Sequence, residues 1–275
     1  MANNKILYIC QQIMPYLAEN EESRLCRQLS QAMQEHGNEI RTFMPRYGCV
    51  NERRNQLHEV IRLSGMNLII NDDDHQLIIK VSSIPSARIQ IYFIDNDDFF
   101  SRKAVVTNEE GKEFEDNDAR MMFYARGVLE TVKKLQWKPS VVHCHGWFSA
   151  IAPLYLRNMF KDDPVLCDTK IVVALYEDKF SNPLDAELAN KLRNEGVEDE
   201  GLANLATPSY ENLMRFVIDN VDGVVAGSAQ ADKALLDYAR ESGKKVLDYQ
   251  SPEEENFYSN YDRFYESLFS PSVEY

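Results

Sequence analysis

The sequence predicts an α/β chain: a parallel sheet with helices on both faces and one β-hairpin excursion. Three observations carry this. Short apolar runs recur at Lys5–Cys10, Glu39–Met44, Ser140–Cys144, Lys170–Leu175 and Gly223–Ala226, in the form taken by strands buried on both faces. Segments of helical period separate most of them, and strand–helix–strand units build parallel sheets by right-handed crossover. From about Leu57 to Ile94 the period changes to short strand-like runs divided by turn residues, the mark of antiparallel pairing.

In order, Lys5–Cys10 is the first strand and Gln11–Asn20 a loop. Glu21–His36 is a helix with Leu25, Cys26, Leu29, Ala32 and Met33 on one stripe and Gly37 as its stop. Glu39–Met44 returns as a strand into Pro45-Arg46-Tyr47-Gly48. Val60–Leu63, Leu68–Ile70 and Leu77–Val81 make the antiparallel excursion, and Ile89–Ile94 rejoins the sheet. The acidic Asn71–Asp74 cluster lacks the glycine and distal glutamate of an EF-hand loop and reads as a solvated hairpin turn.

A polar loop lies between Asp95–Lys103 and Phe114–Arg120, followed by a helix from about Asp118 to Leu135 that buries Met122, Ala125, Leu129 and Val132. Ser140–Cys144 then runs directly into a helix over Trp147–Phe160. Between them stand His143, His145 and Gly146, at the strand edge where open α/β sheets place ligands. Strand Lys170–Leu175, helix Pro208–Asn220, strand Gly223–Ala226 and helix Ala229–Glu241 follow; Gly227-Ser228 reads as a strand stop and helix cap.

Ser251-Pro252-Glu253-Glu254 has the form of a helix start, with Ser as N-cap and Pro at N1. Phe257, Tyr261, Phe264 and Leu268 make an aromatic stripe beyond it. Residues 251–275 are therefore expected to form a helix that packs back on a domain spanning 1–250; a partner surface is the other reading of the stripe.

The 275 residues are 44% hydrophobic, enough for a sizeable core, and the net charge is −14. That charge disfavours nucleic acid and anionic membranes as partners. The five cysteines are scattered and form no Cys-x-x-Cys pair, which argues for reduced thiols. No stretch approaches 18 apolar residues and no signal-peptide pattern opens the chain, so a cytoplasmic location is expected.

Four stretches resemble the starch and bacterial glycogen synthases, in their amino-terminal catalytic half. Met44-Pro45-Arg46-Tyr47-Gly48 is similar to the family's Pro-Arg-Tyr-Gly. Phe99-Phe100-Ser101-Arg102 with Asp116-Asn117-Asp118-Ala119-Arg120 resembles its Phe-Phe-x-Arg and Asp-Asn-x-x-Arg-Phe segments. Val141–Pro153 resembles its His-x-His-Asp-Trp-His corner, and the run from Asn212 to Ser228 its Asn-x-x-Lys, Ala-Asp and Val-Ser run. The resemblance covers Lys5 to about Arg240. It implies a Rossmann-like sheet that is a single half of a two-domain GT-B glycosyltransferase. It also implies glucosyl transfer from ADP-glucose to an α-1,4-glucan, with the donor domain supplied by a second chain.

The chain departs from that pattern at several places. The family's Lys-Thr-Gly-Gly-Leu loop holds the donor's phosphates by backbone amides and a lysine; here Ala18–Glu22 has neither glycine nor lysine and carries three carboxylates. In the corner, Gly146 and Phe148 replace an aspartate and a histidine. Ala174-Leu175-Tyr176-Glu177 stands where the family has Thr-x-His-Asn. These departures favour the alternative, a catalytically silent glucan- or protein-binding module (a pseudoenzyme) on the same scaffold.

By resemblance His145 is the catalytic candidate, and Trp147 would stack on a glucose ring or else pack in the core. Arg46, Arg102 and Arg120 would bind sugar hydroxyls, with Asp98 and Asn117 orienting them; the competing reading is a helix-capping and ion-pair network. His143 and His145 are taken to point to opposite faces of their strand, one inward and one toward the crevice. A His-x-His metal site lacks further ligands nearby in sequence. No glycine-rich nucleotide loop or metalloprotease motif occurs, and no cofactor or metal is assigned. An α-glucan or a sugar nucleotide is the expected partner.

Overall fold

A computed structural model of the chain describes residues 4–270; the ends of the two predicted spans, 1–3 and 271–275, lie outside the described residues. The elements follow in order β1 (Lys5–Cys10), α1 (Glu21–Glu35), β2 (Glu39–Pro45), β3 (His58–Glu59), β4 (Met66–Ile70), β5 (Asp73–Ile84), β6 (Ile89–Asp95), α2 (Asp97–Phe100), α3 (Asn117–Lys134) and β7 (Val141–His145). Beyond them come α4 (Ile151–Arg157), β8 (Lys170–Leu175), α5 (Leu188–Asn194), α6 (Tyr210–Asp219), β9 (Gly223–Ala226), α7 (Lys233–Glu241), β10 (Lys245–Leu247) and α8 (Phe257–Ser267).

The strands form one sheet in the order β10-β9-β8-β7-β1-β2-β6-β5-β3, with β4 paired to β5. From β10 to β6 every neighbouring pair is parallel. β1 is central, between β7 and β2, and its Ile6–Cys10 are wholly buried. That burial on both faces is why its sequence is a continuous apolar run rather than an alternation.

The antiparallel excursion is simpler than the sequence suggested. β5 is one long strand that pairs with β4 along Asp73–Leu77 and with β6 along Ile78–Ile84. Asn71 and Asp72, both at positive φ (54° and 67°), make the two-residue turn between β4 and β5, the backbone a tight hairpin requires. Val60–Leu63 is a turn rather than a strand; the ladder partner of β5 is the short β3 just before it. Leu63, buried, and Val60, packed against the core, pin the turn, while Ile61 is exposed.

α1 is opened by a capping box: Ser23 N–H donates to Asn20 Oδ1 at 2.7 Å and Asn20 N–H to Ser23 Oγ at 2.9 Å. These bonds satisfy amides that have no partner inside the helix. α8 starts at Phe257, not at Ser251. Ser251–Asn256 is a set of turns, and the three intervening glutamates are exposed. Helix stability comes mainly from a buried face, and the first residue of this segment that reaches the core is Phe257.

α1 and α8 pack together over the sheet face that carries Tyr8, Cys10, His143 and His145. α4 packs between α3 and α6 in a second layer. On α8, Phe257, Tyr261, Phe264, Tyr265 and Leu268 are buried, and a Cβ on Gly223 of β9 would meet Phe264 Cζ at 2.8 Å. α2, α5 and β10 escaped the sequence reading because each is too short to show a period.

Candidate functional site

The carboxyl ends of β1 and β8 open into a crevice of about 990 Å³. Its walls are Gln11 and Gln12 after β1, Asn20–Glu22 at the start of α1, the loop Lys103–Glu109, Tyr176–Lys179 after β8, and Gln230. Three loops converge there because parallel strands end together at this edge, while helices carry the chain back to the other.

Gln11 ties these walls together. Its backbone N–H donates to Glu22 Oε1 at 3.2 Å and its side-chain Nε2 to Asp178 Oδ2 at 3.3 Å, while its Oε1 accepts from Phe148 N–H at 3.0 Å. Glu22 is 3% exposed, and its Oε2 has no hydrogen-bond partner among the described residues. Burial, and then the nearby charge of Asp178, push its carboxyl well above the usual range. Burial also pushes Asp178 up, opposed by the Gln11 amide.

The crevice carries five carboxylates (Glu21, Glu22, Glu109, Glu177, Asp178) and two lysines, Lys103 and Lys179. Lys179 is already paired with Asp232 at 2.6 Å. Carboxylates and amides accept from hydroxyl groups, so the walls suit a neutral polyhydroxy ligand and oppose a free diphosphate.

None of the seven residues picked from the sequence lines the crevice. Arg102, Asn117 and Arg120 hold the loop that does. Arg102 pairs with Asp116 and lies 4.4 Å over the Phe114 ring. Asn117 Nδ2 donates to the Val106 carbonyl at 2.9 Å, and its Oδ1 accepts from Arg120 Nη1 at 2.7 Å. Arg120 is fully buried, donates from Nε to the Phe99 carbonyl at 2.8 Å, and sits among the rings of Tyr47, Phe100, Phe114 and Phe148. Burial lowers its pKa to about 10, so it stays cationic at neutral pH, steadied by the ring faces.

Arg46 is ion-paired with Asp95 at 2.7 Å within a network that includes Lys80 and Glu52, at the β6 side of the sheet. Asp98 meets His75 Nδ1 at 2.8 Å. Trp147 is 2% exposed and packs edge-on to Phe148 and Phe180.

His145 is fully buried and shares a 2.7 Å hydrogen bond between Nδ1 and the hydroxyl of Tyr176, which does line the crevice. His143 and His145 do not point to opposite faces. Residues two apart in a strand share a face, and the two rings are 4.0 Å apart. His143 Nδ1 shares a 2.7 Å hydrogen bond with Tyr265 of α8, whose hydroxyl is 3.2 Å from that of Tyr8. Burial holds both imidazoles neutral, His145 with its pKa lowered to about 3 and His143 well below the ordinary value.

The same face brings ligand atoms of Cys10, Cys26 and His145 within 4.8 Å of one another. The sequence placed Glu22 and Tyr176 at this edge only as departures from the family's pattern, and it missed Gln11 and Asp178 as crevice residues. Gln11 was accessible in principle, since it directly follows a strand's carboxyl end. Asp178, and the burial of Glu22, were not, because helix and loop polar residues look alike until the fold turns them inward.

Compared with known proteins, residues 5–247 match the family described as the starch synthase catalytic domain. Glycogen synthases of Chlorobium luteolum and Chlorobium phaeobacteroides are 30% identical over 237 residues and 31% over 238, each covering 86% of this chain and 48% of the relative. The chain thus spans about half the length of the curated relatives it matches. The catalytic domain of starch synthase IV from Arabidopsis thaliana, solved bound to ADP and acarbose, superposes with a TM-score of 0.71 at 16% identity. That superposition covers 91% of this chain and 52% of the other, and is a likeness of fold.

Proposed function

The chain belongs to the starch synthase catalytic domain family, with a GT-B type α/β fold, and on that premise we propose that it serves as the glucan-facing half of a glycogen/starch synthase-type glucosyltransferase. In this reading the crevice takes the end of an α-1,4-glucan. A donor-binding half, from a longer polypeptide or a second chain, holds the sugar nucleotide. The observation that carries the reading is the lining of the crevice by carboxylates and amides, with a single lysine outside an ion pair, Lys103, among the described residues. Transfer from a sugar nucleotide requires charge stabilisation on the leaving diphosphate, which this wall does not supply.

Arg102, Asn117 and Arg120 act here as positioning residues for the crevice loop, and His145 positions Tyr176. The same lack of cations is compatible with a second reading, a silent glucan-binding module, but does not favour it over the first.

Calorimetric titration with maltohexaose and, separately, with ADP-glucose tests the proposal. Saturable maltohexaose binding is expected, with ADP-glucose binding and glucose incorporation appearing only when a donor half is added. Failure to bind maltohexaose overturns the glucan assignment. Incorporation by this chain alone overturns the division of labour, and no incorporation with any donor half favours the silent module.

A further inference from the structure

We propose that Cys10, Cys26 and His145 form a buried site for a thiophilic divalent cation, best matched by zinc(II), at the joint of β1, α1 and β7. Cys10 and His145 are direct partners across the parallel pair β1·β7, so their side chains leave the same face side by side. α1 covers that face and delivers Cys26 one turn after Glu22, which also faces this corner. All three ligand atoms lie within 4.8 Å of one another. Around a tetrahedral zinc with bonds of about 2.3 Å to sulfur and 2.0 Å to nitrogen, donors stand roughly 3.5–3.8 Å apart. Gathering them needs shifts of about an ångström at most.

The donor set fits a soft dication. Two sulfurs and an imidazole suit zinc, whereas magnesium and calcium require oxygen ligands. His145 is neutral, so its lone pair is available. Its Nδ1 is engaged with the Tyr176 hydroxyl at 2.7 Å, the outer partner that orients a metal-bound imidazole. Its Nε2, in a residue with no exposure, has no hydrogen-bond partner among the described residues and is the nitrogen free to bind.

Charge balances as well. Burial holds both thiols protonated; on binding, each loses its proton to solvent as its sulfur bonds the metal, releasing two protons per cation. Two thiolates and one dication leave a neutral unit, the state a low-dielectric interior favours. A monovalent soft cation would leave one negative charge there. Three protein donors leave a fourth position open for a water or another small ligand. The bound cation would clip β1, α1 and β7 together beneath the crevice floor.

Titration of the reduced, chelator-treated chain with cobalt(II) and then zinc(II) tests the site. One equivalent of cobalt should produce an intense thiolate-to-cobalt charge-transfer band, displaced by one equivalent of zinc with a rise in Tm. Zinc-edge absorption spectroscopy of the loaded chain should return two sulfur neighbours. Cys26→Ser should abolish the band, and Cys49→Ser, an exposed thiol, should keep it. Absence of a stoichiometric band in the folded chain, or a band that survives Cys26→Ser, overturns the proposal. Should Cys26→Ser fail to fold, the unmodified chain decides: a zinc shell with no sulfur overturns the site.

Discussion

Glu22 occupies the space that a side chain at Gly146 would need. A Cβ on Gly146 would stand 2.8 Å from Glu22 Oε1 and 2.7 Å from Gln11 Oε1. Gly146 also holds φ 75° and ψ 160°, a region essentially reserved for glycine. The resemblance places an aspartate at this position; here the carboxylate of the corner comes instead from the first turn of α1.

Gly146→Ala should therefore destabilise the chain by about 2–4 kcal/mol, from backbone strain and from overpacking. Adding Glu22→Ala should recover only the share of the overpacking that Glu22 causes, leaving the Gln11 contact and the backbone strain. Urea denaturation of the two single variants and the pair checks this; strict additivity would show that the two positions do not share space.

Glu22 also makes stability depend on pH. A carboxyl whose folded pKa is raised contributes stability below its unfolded pKa, about 4.3, and loses it as pH rises through the folded value. Glu22→Gln keeps the Gln11 contact without the charge, so it should raise Tm at pH 7–8. The gain should shrink as pH falls toward about 4.3. A Tm difference that does not change with pH would refute the assignment.

The two histidines act in the opposite direction. Their folded pKa values are depressed, so their contribution is complete above about pH 6.5 and falls as the unfolded chain takes up protons that the folded chain refuses. In the Glu22→Gln background, stability should drop as pH falls below 6.5, with a slope that approaches about 2.7 kcal/mol per pH unit near pH 5, about 1.36 for each histidine. Denaturation curves across that window give the slope directly, and a flat profile would mean that the imidazoles are accessible to protons.

Tyr265 bonds both His143 and Tyr8 in the interior. Tyr265→Phe strands both partners and should cost about 1–3 kcal/mol. Truncation after Gln250 removes the whole buried aromatic face of α8 and should lower Tm far more, or cause aggregation. An unchanged Tm on truncation would show that the helix adds nothing to the domain.

Arg102→Ala frees the crevice loop while removing only a partly exposed ion pair, itself worth about 0.2–1 kcal/mol. Maltohexaose binding should weaken by about 3- to 10-fold, roughly 0.7–1.4 kcal/mol, with little change in Tm. Unchanged affinity with an unchanged fold would separate Arg102 from ligand binding.

The sequence by itself determined the class of fold and the places of the principal strands along the chain, and it pointed to the sheet edge at which the crevice opens. Those features are written in local periodicity: Lys5–Cys10 and Lys170–Leu175 are apolar throughout because both of their faces are covered, and that reads directly from composition. The family was legible for a related reason, since motifs such as Pro45-Arg46-Tyr47-Gly48 and His143-Cys144-His145 stay contiguous in the chain. The crevice residues and the Cys10–Cys26–His145 cluster were decided only by tertiary structure. Glu22 becomes an interior carboxyl because α1 rolls it under Gly146, and Cys26 meets Cys10 because strand register and helix rotation agree. His143 and Tyr265 stand 122 positions apart in the chain and meet only when α8 closes over the sheet. Local patterns record which face of an element is buried; which residues of other elements share that burial is set by the packing of the whole chain.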